Sequence, residues 1–172
     1  MKIHLAKYKG FCYGVRRAVD TAMAQAGKHK KVYTLGPLIH NPQVIRQLAE
    51  KGIQNVERIA DLHEGLLIIR THGVGPGVYQ QARKQGIEII EGTCPHVKKA
   101  QRAAHELTRQ GYTVIIIGEK DHPEVMGIRE WAGDNNAIVV ENLRDAAALP
   151  FISRMGVVFQ TTYSIEAAEN IL

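Results

Sequence analysis

Gly92-Thr93-Cys94-Pro95-His96-Val97-Lys98-Lys99 follows the apolar run Ile87-Glu88-Ile89-Ile90 and opens a segment with helical spacing. A strand that hands over to a helix here puts Pro95 in the first helical position, where its missing N–H costs nothing. Cys94 then faces unpaired backbone N–H groups and the positive end of the helix dipole, a setting that favours its thiolate. The chain has one other cysteine, Cys12, and the sequence places it at a matching junction. Two buried, inert thiols are the ordinary reading of such a pair. Their parallel placement points instead to ligands or a nucleophile.

Working outward, the same handover repeats. Residues 3–8 read as a strand that leads through Phe11-Cys12-Tyr13-Gly14 into a helix with Val15, Ala18, Val19 and Ala22 on one face. Val32-Tyr33-Thr34-Leu35 reads as a strand, and His40-Asn41-Pro42 starts a helix with Asn41 as its cap. Residues 66–69 form an apolar strand that runs into Arg70-Thr71-His72-Gly73-Val74-Gly75-Pro76-Gly77. Its three glycines are expected to let the backbone approach a ligand closely. Beyond Cys94, residues 114–118 lead to a helix opened by His122-Pro123-Glu124, and residues 137–140 form another strand. Val157-Val158-Phe159 is the last strand, before Gln160-Thr161-Thr162 and a helix from Ile165.

Alternating strands and helices define an α/β fold with mostly parallel sheets. Fully apolar strands fit sheets covered on both faces. The 172 residues suffice for one large or two small domains, and the expected division is residues 1–92 and 93–172. The last helix ends on Ile171-Leu172 with neither a glycine cap nor a basic last turn. The expectation is a chain cut inside a larger protein.

Composition narrows the function classes. No run approaches the roughly 18 apolar residues that a membrane span requires. Two cysteines without a secretory signal suit a reducing, cytoplasmic location. The net charge of +5 is spread along helices among acidic residues, and 6% aromatic content offers no stacking surface for nucleic acid. An anionic small molecule or an acidic protein partner accounts for the charge equally well.

Ligands of open α/β sheets gather at the carboxyl ends of the strands. On this reading those ends carry Cys12, His40, His72, Cys94, His122 and Thr161. Three histidines beside helix starts suit a diphosphate, which they and backbone N–H groups hold by charge-assisted hydrogen bonds. Glu124, two positions after His122, is placed to deliver a proton beside that anion. His4, His29, His63 and His105 lack such a setting and read as solvated or packing residues; His96 is ambiguous. Two converging thiolates suit zinc or an iron–sulfur centre. The residues by themselves define an anion site beside a thiolate pair, with the metal left open.

Gly10-Phe11-Cys12-Tyr13-Gly14-Val15, Ile39-His40-Asn41, Thr71-His72-Gly73-Val74, Thr93-Cys94-Pro95, Gly118 through His122-Pro123-Glu124-Val125, and Gln160-Thr161-Thr162 stand in this order. Together they resemble the 4-hydroxy-3-methylbut-2-enyl diphosphate reductase family, the last step of the non-mevalonate isoprenoid pathway, over essentially the whole chain. The resemblance implies three similar α/β domains in a cloverleaf-like arrangement, of which this chain supplies two and lacks the third. It implies a [4Fe-4S] cluster with Cys12 and Cys94 as ligands and a third cysteine outside this chain. It further implies that His40, His72 and His122 hold the substrate diphosphate, that Glu124 donates the proton, and that Thr161 lies near the substrate hydroxyl. Isopentenyl and dimethylallyl diphosphate would be the products, with ferredoxin or flavodoxin as electron donor and no nucleic-acid or membrane partner. Two thiolates hold such a cluster poorly, so the chain is expected to be inactive alone. The alternative is a non-enzymatic diphosphate- or metal-binding module on the same scaffold.

Overall fold

The computed structural model describes residues 1–7, 9–29 and 31–172. Its elements are α1 (Tyr13–Gln25), β1 (Val32–Leu35), α2 (Pro42–Glu50), β2 (Ile53–Val56), β3 (Leu66–Ile68), α3 (Pro76–Gln85), β4 (Glu88–Ile90) and α4 (Pro95–Arg109). They continue with β5 (Thr113–Ile117), α5 (Pro123–Ala132), β6 (Ala137–Val140), α6 (Leu143–Ala147), β7 (Met155–Phe159) and α7 (Ile165–Ile171). Two all-parallel sheets result, ordered β2-β1-β3-β4 and β6-β5-β7.

Each sheet divides its apolar side chains between two covered faces. In the first, Leu66 and Ile68 pack with Ala18 and Ala22 of α1 and Val44 and Leu48 of α2. Leu67 and Ile69 point the other way, onto Ala82 of α3 with Ile59 and Leu62. In the second, Val114 and Ile116 meet Ala104, Val125 and Ile128, while Ile115 and Ile117 meet Val140 and Ala168. This period-2 split explains why the strands are apolar throughout rather than alternating. Leu66 to Ile69 are wholly buried, and each contributes about 1.5–3 kcal/mol relative to exposure.

Two expectations require correction. Residues 1–7 form no strand and are exposed, and Tyr8 lies outside the described residues. Lys2, His4 and Lys7 interrupt the apolar positions, so the segment has no face to bury. Cys12 therefore follows coil rather than a strand, although it still caps α1. The glycines after His72 serve packing. A Cβ on Gly73 would meet the side chain of Gln101, and one on Gly75 would meet that of Glu130. Backbone there yields space to side chains of α4 and α5, and only Gly77 has open space where a Cβ would stand.

The order of strands positions the site. From β1 the chain crosses to β2 on one side and returns to β3 on the other, so the loops after β1 and β3 diverge at a switch point. The same happens between β5 and β7 in the second sheet. The first pair of loops carries His40 and His72; the second carries His122 and Thr161.

Candidate functional site

The two switch points face one another. The His40 and His72 ring centroids are 4.7 Å apart, and those of His72 and His122 are 5.4 Å apart. One nitrogen from each of the three rings lies within 4.8 Å of the others. Local chemistry fixes each position. Asn41 accepts from the N–H groups of Gln43 and Val44 (3.0 and 3.1 Å), which anchors the start of α2 directly after His40. Thr71 donates through its N–H and its hydroxyl to the Leu38 carbonyl (3.2 Å each), binding the loop before His72 to the loop before His40. The His122 Nδ1 accepts from the Glu124 N–H at 3.1 Å and so caps α5.

That cap decides what the trio offers. An Nδ1 that accepts leaves the ring hydrogen of His122 on Nε2, a donor rather than a metal ligand. The spacing of the three rings alone would admit a divalent ion. The tautomer of His122 and the neighbouring Arg70 favour an anion. His72 Nδ1 is buried with no hydrogen-bond partner. Burial, and then the electrostatic influence of His40, Arg70 and His122, depresses the His72 pKa to about 4. An anion beside these rings would favour the protonated form of His72 and so oppose the depression.

Glu124 is 1% exposed. Its Oε1 accepts from the Thr161 N–H (2.6 Å) and its Oε2 from the Thr161 hydroxyl (3.0 Å). Burial raises its pKa; the two Thr161 bonds and His122 oppose this without cancelling it. The carboxyl group therefore retains a proton to higher pH than an exposed glutamate. Thr161 is exposed, so its hydroxyl connects the buried carboxyl group to the surface.

Both cysteines are free thiols at helix N-caps, Cys12 at α1 and Cys94 at α4, and neither uses its side chain in a capping bond. Cys94 Sγ lies 2.7 Å from where a Cβ on Gly14 would stand. Gly14 is the second residue of α1. The absence of a side chain there brings the Cys94 sulfur against the helix start that Cys12 caps. Two thiols beside two sets of free backbone N–H groups are suitable donors for a soft, thiolate-ligated centre.

Every site residue expected from the sequence falls into this arrangement, as the thiol pair Cys12 and Cys94 or the cluster of His40, His72, His122, Glu124 and Thr161. His105 instead packs edge-on against Trp131, with its Nδ1 3.2 Å from the Trp131 carbonyl oxygen. His96 is exposed. Three contributors were missed. Arg17 Nη2 donates to the Thr93 carbonyl at 2.5 Å and fixes the turn before Cys94. Gln160 accepts from the Glu119 N–H (2.9 Å) and donates to the Thr162 hydroxyl (3.0 Å), holding the loop that carries Thr161. Gly14 makes room for the Cys94 sulfur. The one signal for Arg17 was its place on the first turns of the helix that follows Cys12.

Parallel α/β units bring three histidines together at their switch-point loops and carry a buried carboxyl group and two free thiols at helix starts, an arrangement with the chemistry to hold an anion. The family model of the LytB protein matches residues 3–172, and the chain belongs to that family. It is 45% identical over 172 residues to the 4-hydroxy-3-methylbut-2-enyl diphosphate reductase of Geotalea uraniireducens, covering all of this chain and 61% of that protein. It is 46% identical over 177 residues to the protein of the same name from Thermoanaerobacter sp. strain X514, again covering 61% of the relative. Among solved structures, the E-1-hydroxy-2-methyl-but-2-enyl-4-diphosphate reductase of Plasmodium falciparum superposes with a TM-score of 0.91 at 30% identity, covering 96% of this chain and 53% of that one. A second reductase, described as the terminal enzyme of the non-mevalonate pathway, gives 0.85 at 40% identity, with 98% and 61% covered. The chain thus spans about three-fifths of the length of the curated relatives it matches.

Proposed function

We propose that this chain contributes the diphosphate pocket, the proton donor and two cluster ligands of a 4-hydroxy-3-methylbut-2-enyl diphosphate reductase. The reaction removes the allylic hydroxyl: two electrons and two protons turn the C–O bond into C–H and release water, giving isopentenyl and dimethylallyl diphosphate. The observation that carries this reading is the convergence of His40, His72 and His122 within 4.8 Å, beside a buried Glu124 that Thr161 holds by both oxygens.

Each group has a distinct task. The three imidazoles bind the diphosphate, with His122 donating through Nε2. Glu124 holds a proton in a dry setting, and the Thr161 hydroxyl bonded to it gives its own proton to the leaving oxygen and takes the Glu124 proton in exchange. Cys12 and Cys94 would hold an iron–sulfur centre of the [4Fe-4S] type, which would supply the electrons and a Lewis-acidic iron. We read residues 1–92 and 93–172 as two units, with the anion site between them. An acidic one-electron carrier such as ferredoxin or flavodoxin, in a reducing cytoplasmic setting, completes the reading.

Anaerobic reconstitution with iron and sulfide tests it in the protein that carries this chain. Wild type develops the visible absorption of a thiolate-bound cluster, and Cys94→Ser loses it. Glu124→Gln keeps the absorption but loses turnover of the allylic diphosphate by about 100-fold or more, the contribution of a positioned acid. Normal turnover in Glu124→Gln removes the proton-donor role, and an unchanged spectrum in Cys94→Ser removes the ligand role.

A further inference from the structure

The turns before the two cysteines are held unequally. Thr93, which precedes Cys94, is 1% exposed and has every polar group bonded. Its N–H (3.1 Å) and its hydroxyl both donate to Glu91 Oε1, and its carbonyl accepts from Arg17 Nη2 (2.5 Å). Cys94 itself donates through its N–H to the Thr71 carbonyl and accepts from the Lys98 N–H, each at 2.9 Å. Its backbone is thereby fixed on both sides, and the direction of the thiol follows from it. Among the described residues, Phe11, which precedes Cys12, has no such bonds, and Cys12 is exposed where Cys94 is half-buried.

Glu91 lies just past β4, three residues before Cys94. Its other oxygen, Oε2, accepts from the Tyr79 hydroxyl (2.9 Å) and from Lys98 Nζ (3.0 Å). The carboxylate is thus tied to α3 and to the first turn of α4 as well as to Thr93. Burial pushes the Glu91 pKa up, but the bonds from Thr93, Lys98 and Tyr79 outweigh it and hold the group below its ordinary 4.5. An ionised carboxylate gripped by four donors leaves Thr93 a single geometry. Groups that hold a ligand residue in this way orient its donor atom.

We propose that Glu91 is a positioning residue for Cys94, which presets the direction of the thiol through its two bonds to Thr93 before any metal is bound. The proposal deepens the reading of Cys94 as a cluster ligand and rests on that reading for its purpose, though not for its geometry. Loss of the carboxylate releases the Thr93 N–H and hydroxyl together and leaves two buried donors without a partner. The turn then loosens, and the half-buried sulfur, 2.7 Å from where a Cβ on Gly14 would stand, opens towards solvent.

Alkylation of the two cysteines by iodoacetamide in the metal-free protein, resolved by peptide mass spectrometry, tests this without any turnover. Glu91→Ala is expected to raise the Cys94 rate about tenfold or more and to leave Cys12 within about twofold. Two milder variants, Tyr79→Phe and Thr93→Val, each remove one donor and are expected to raise the Cys94 rate about threefold. Thr93→Val added to Glu91→Ala should change that rate by less than about twofold, because the bond it removes is already lost. Equal acceleration at both cysteines, an unchanged Cys94 rate in any single variant, or multiplied effects in the double variant each overturns the proposal. In the iron-loaded protein Glu91→Ala should also shift the electron paramagnetic resonance g-values of the reduced centre, which a loss of stability alone would not move. Unshifted g-values, in a protein whose visible absorption Cys94→Ser abolishes, overturn it too. Absorption that persists in Cys94→Ser removes the ligand reading instead, and the alkylation rates then decide the positioning role by themselves.

Discussion

Glu124 and His72 are perturbed in ways that give opposite pH signatures. Burial lifts the Glu124 pKa above its ordinary 4.5, so the folded chain holds that proton more tightly than the unfolded chain does. Its contribution to stability is complete below 4.5 and is lost as pH rises through the folded value. Glu124→Gln removes the titration, and its urea midpoint should gain on that of wild type as pH rises above 4.5. Parallel pH profiles for the two proteins would contradict the assignment. Glu124 was legible in the sequence because a glutamate directly after a helix-starting proline has a defined place, and His72 because it follows the apolar strand at residues 66–69. The Thr161–Glu124 bond was not legible, since 37 residues separate the partners and only the parallel pairing of β5 and β7 unites them.

At the scale of elements, helix boundaries were the most readable feature. Pro76 opens the helix Pro76–Gln85, and Gly86 ends it in the left-handed region at φ 68°. Asn41, Asn142 and Ser164 each cap a helix through the side chain, and Pro42, Pro95 and Pro123 each open one. The expected strand at residues 3–8 failed because its few apolar residues found no sheet to join. The glycines after His72 were misread because a close approach of side chains from another unit leaves no local mark. Gly92 is the sharper case. A Cβ there would collide with the Ile69 carbonyl, rigid backbone immediately after β3. Gly92→Ala should therefore cost about 1–3 kcal/mol, against the small gain usual for replacing glycine, and it should push the Cys94 loop away from β3. Urea denaturation together with the alkylation rate of Cys94 measures both effects; a stabilised variant with unchanged thiol reactivity would refute the close-packing account.

At the scale of the molecule, each sheet supplies half of the pocket, and neither half contains the whole chemistry. Residues 1–92 bring His40, His72 and Cys12, and residues 93–172 bring Cys94, His122, Glu124 and Thr161. The two halves are joined by the Trp131 bond to Val74 and by the fit of Gln101 and Glu130 over Gly73 and Gly75. Sequence order indicated alternating strands and helices and the residues on their rims, but it contained nothing about how the rims meet. The central claim is that they meet around a diphosphate. Calorimetric titration of 4-hydroxy-3-methylbut-2-enyl diphosphate into the 172-residue chain, repeated in buffers of different ionisation heat, tests it directly. Because the free pKa of His72 is held at about 4 and a bound anion raises it, binding should take up a proton and strengthen as pH falls from 6.5 towards that value. His72→Ala should lose about 10- to 100-fold in affinity and most of the proton uptake, the loss expected for one charge-assisted hydrogen bond. Binding without proton uptake, or binding that His72→Ala leaves unchanged, would contradict the account.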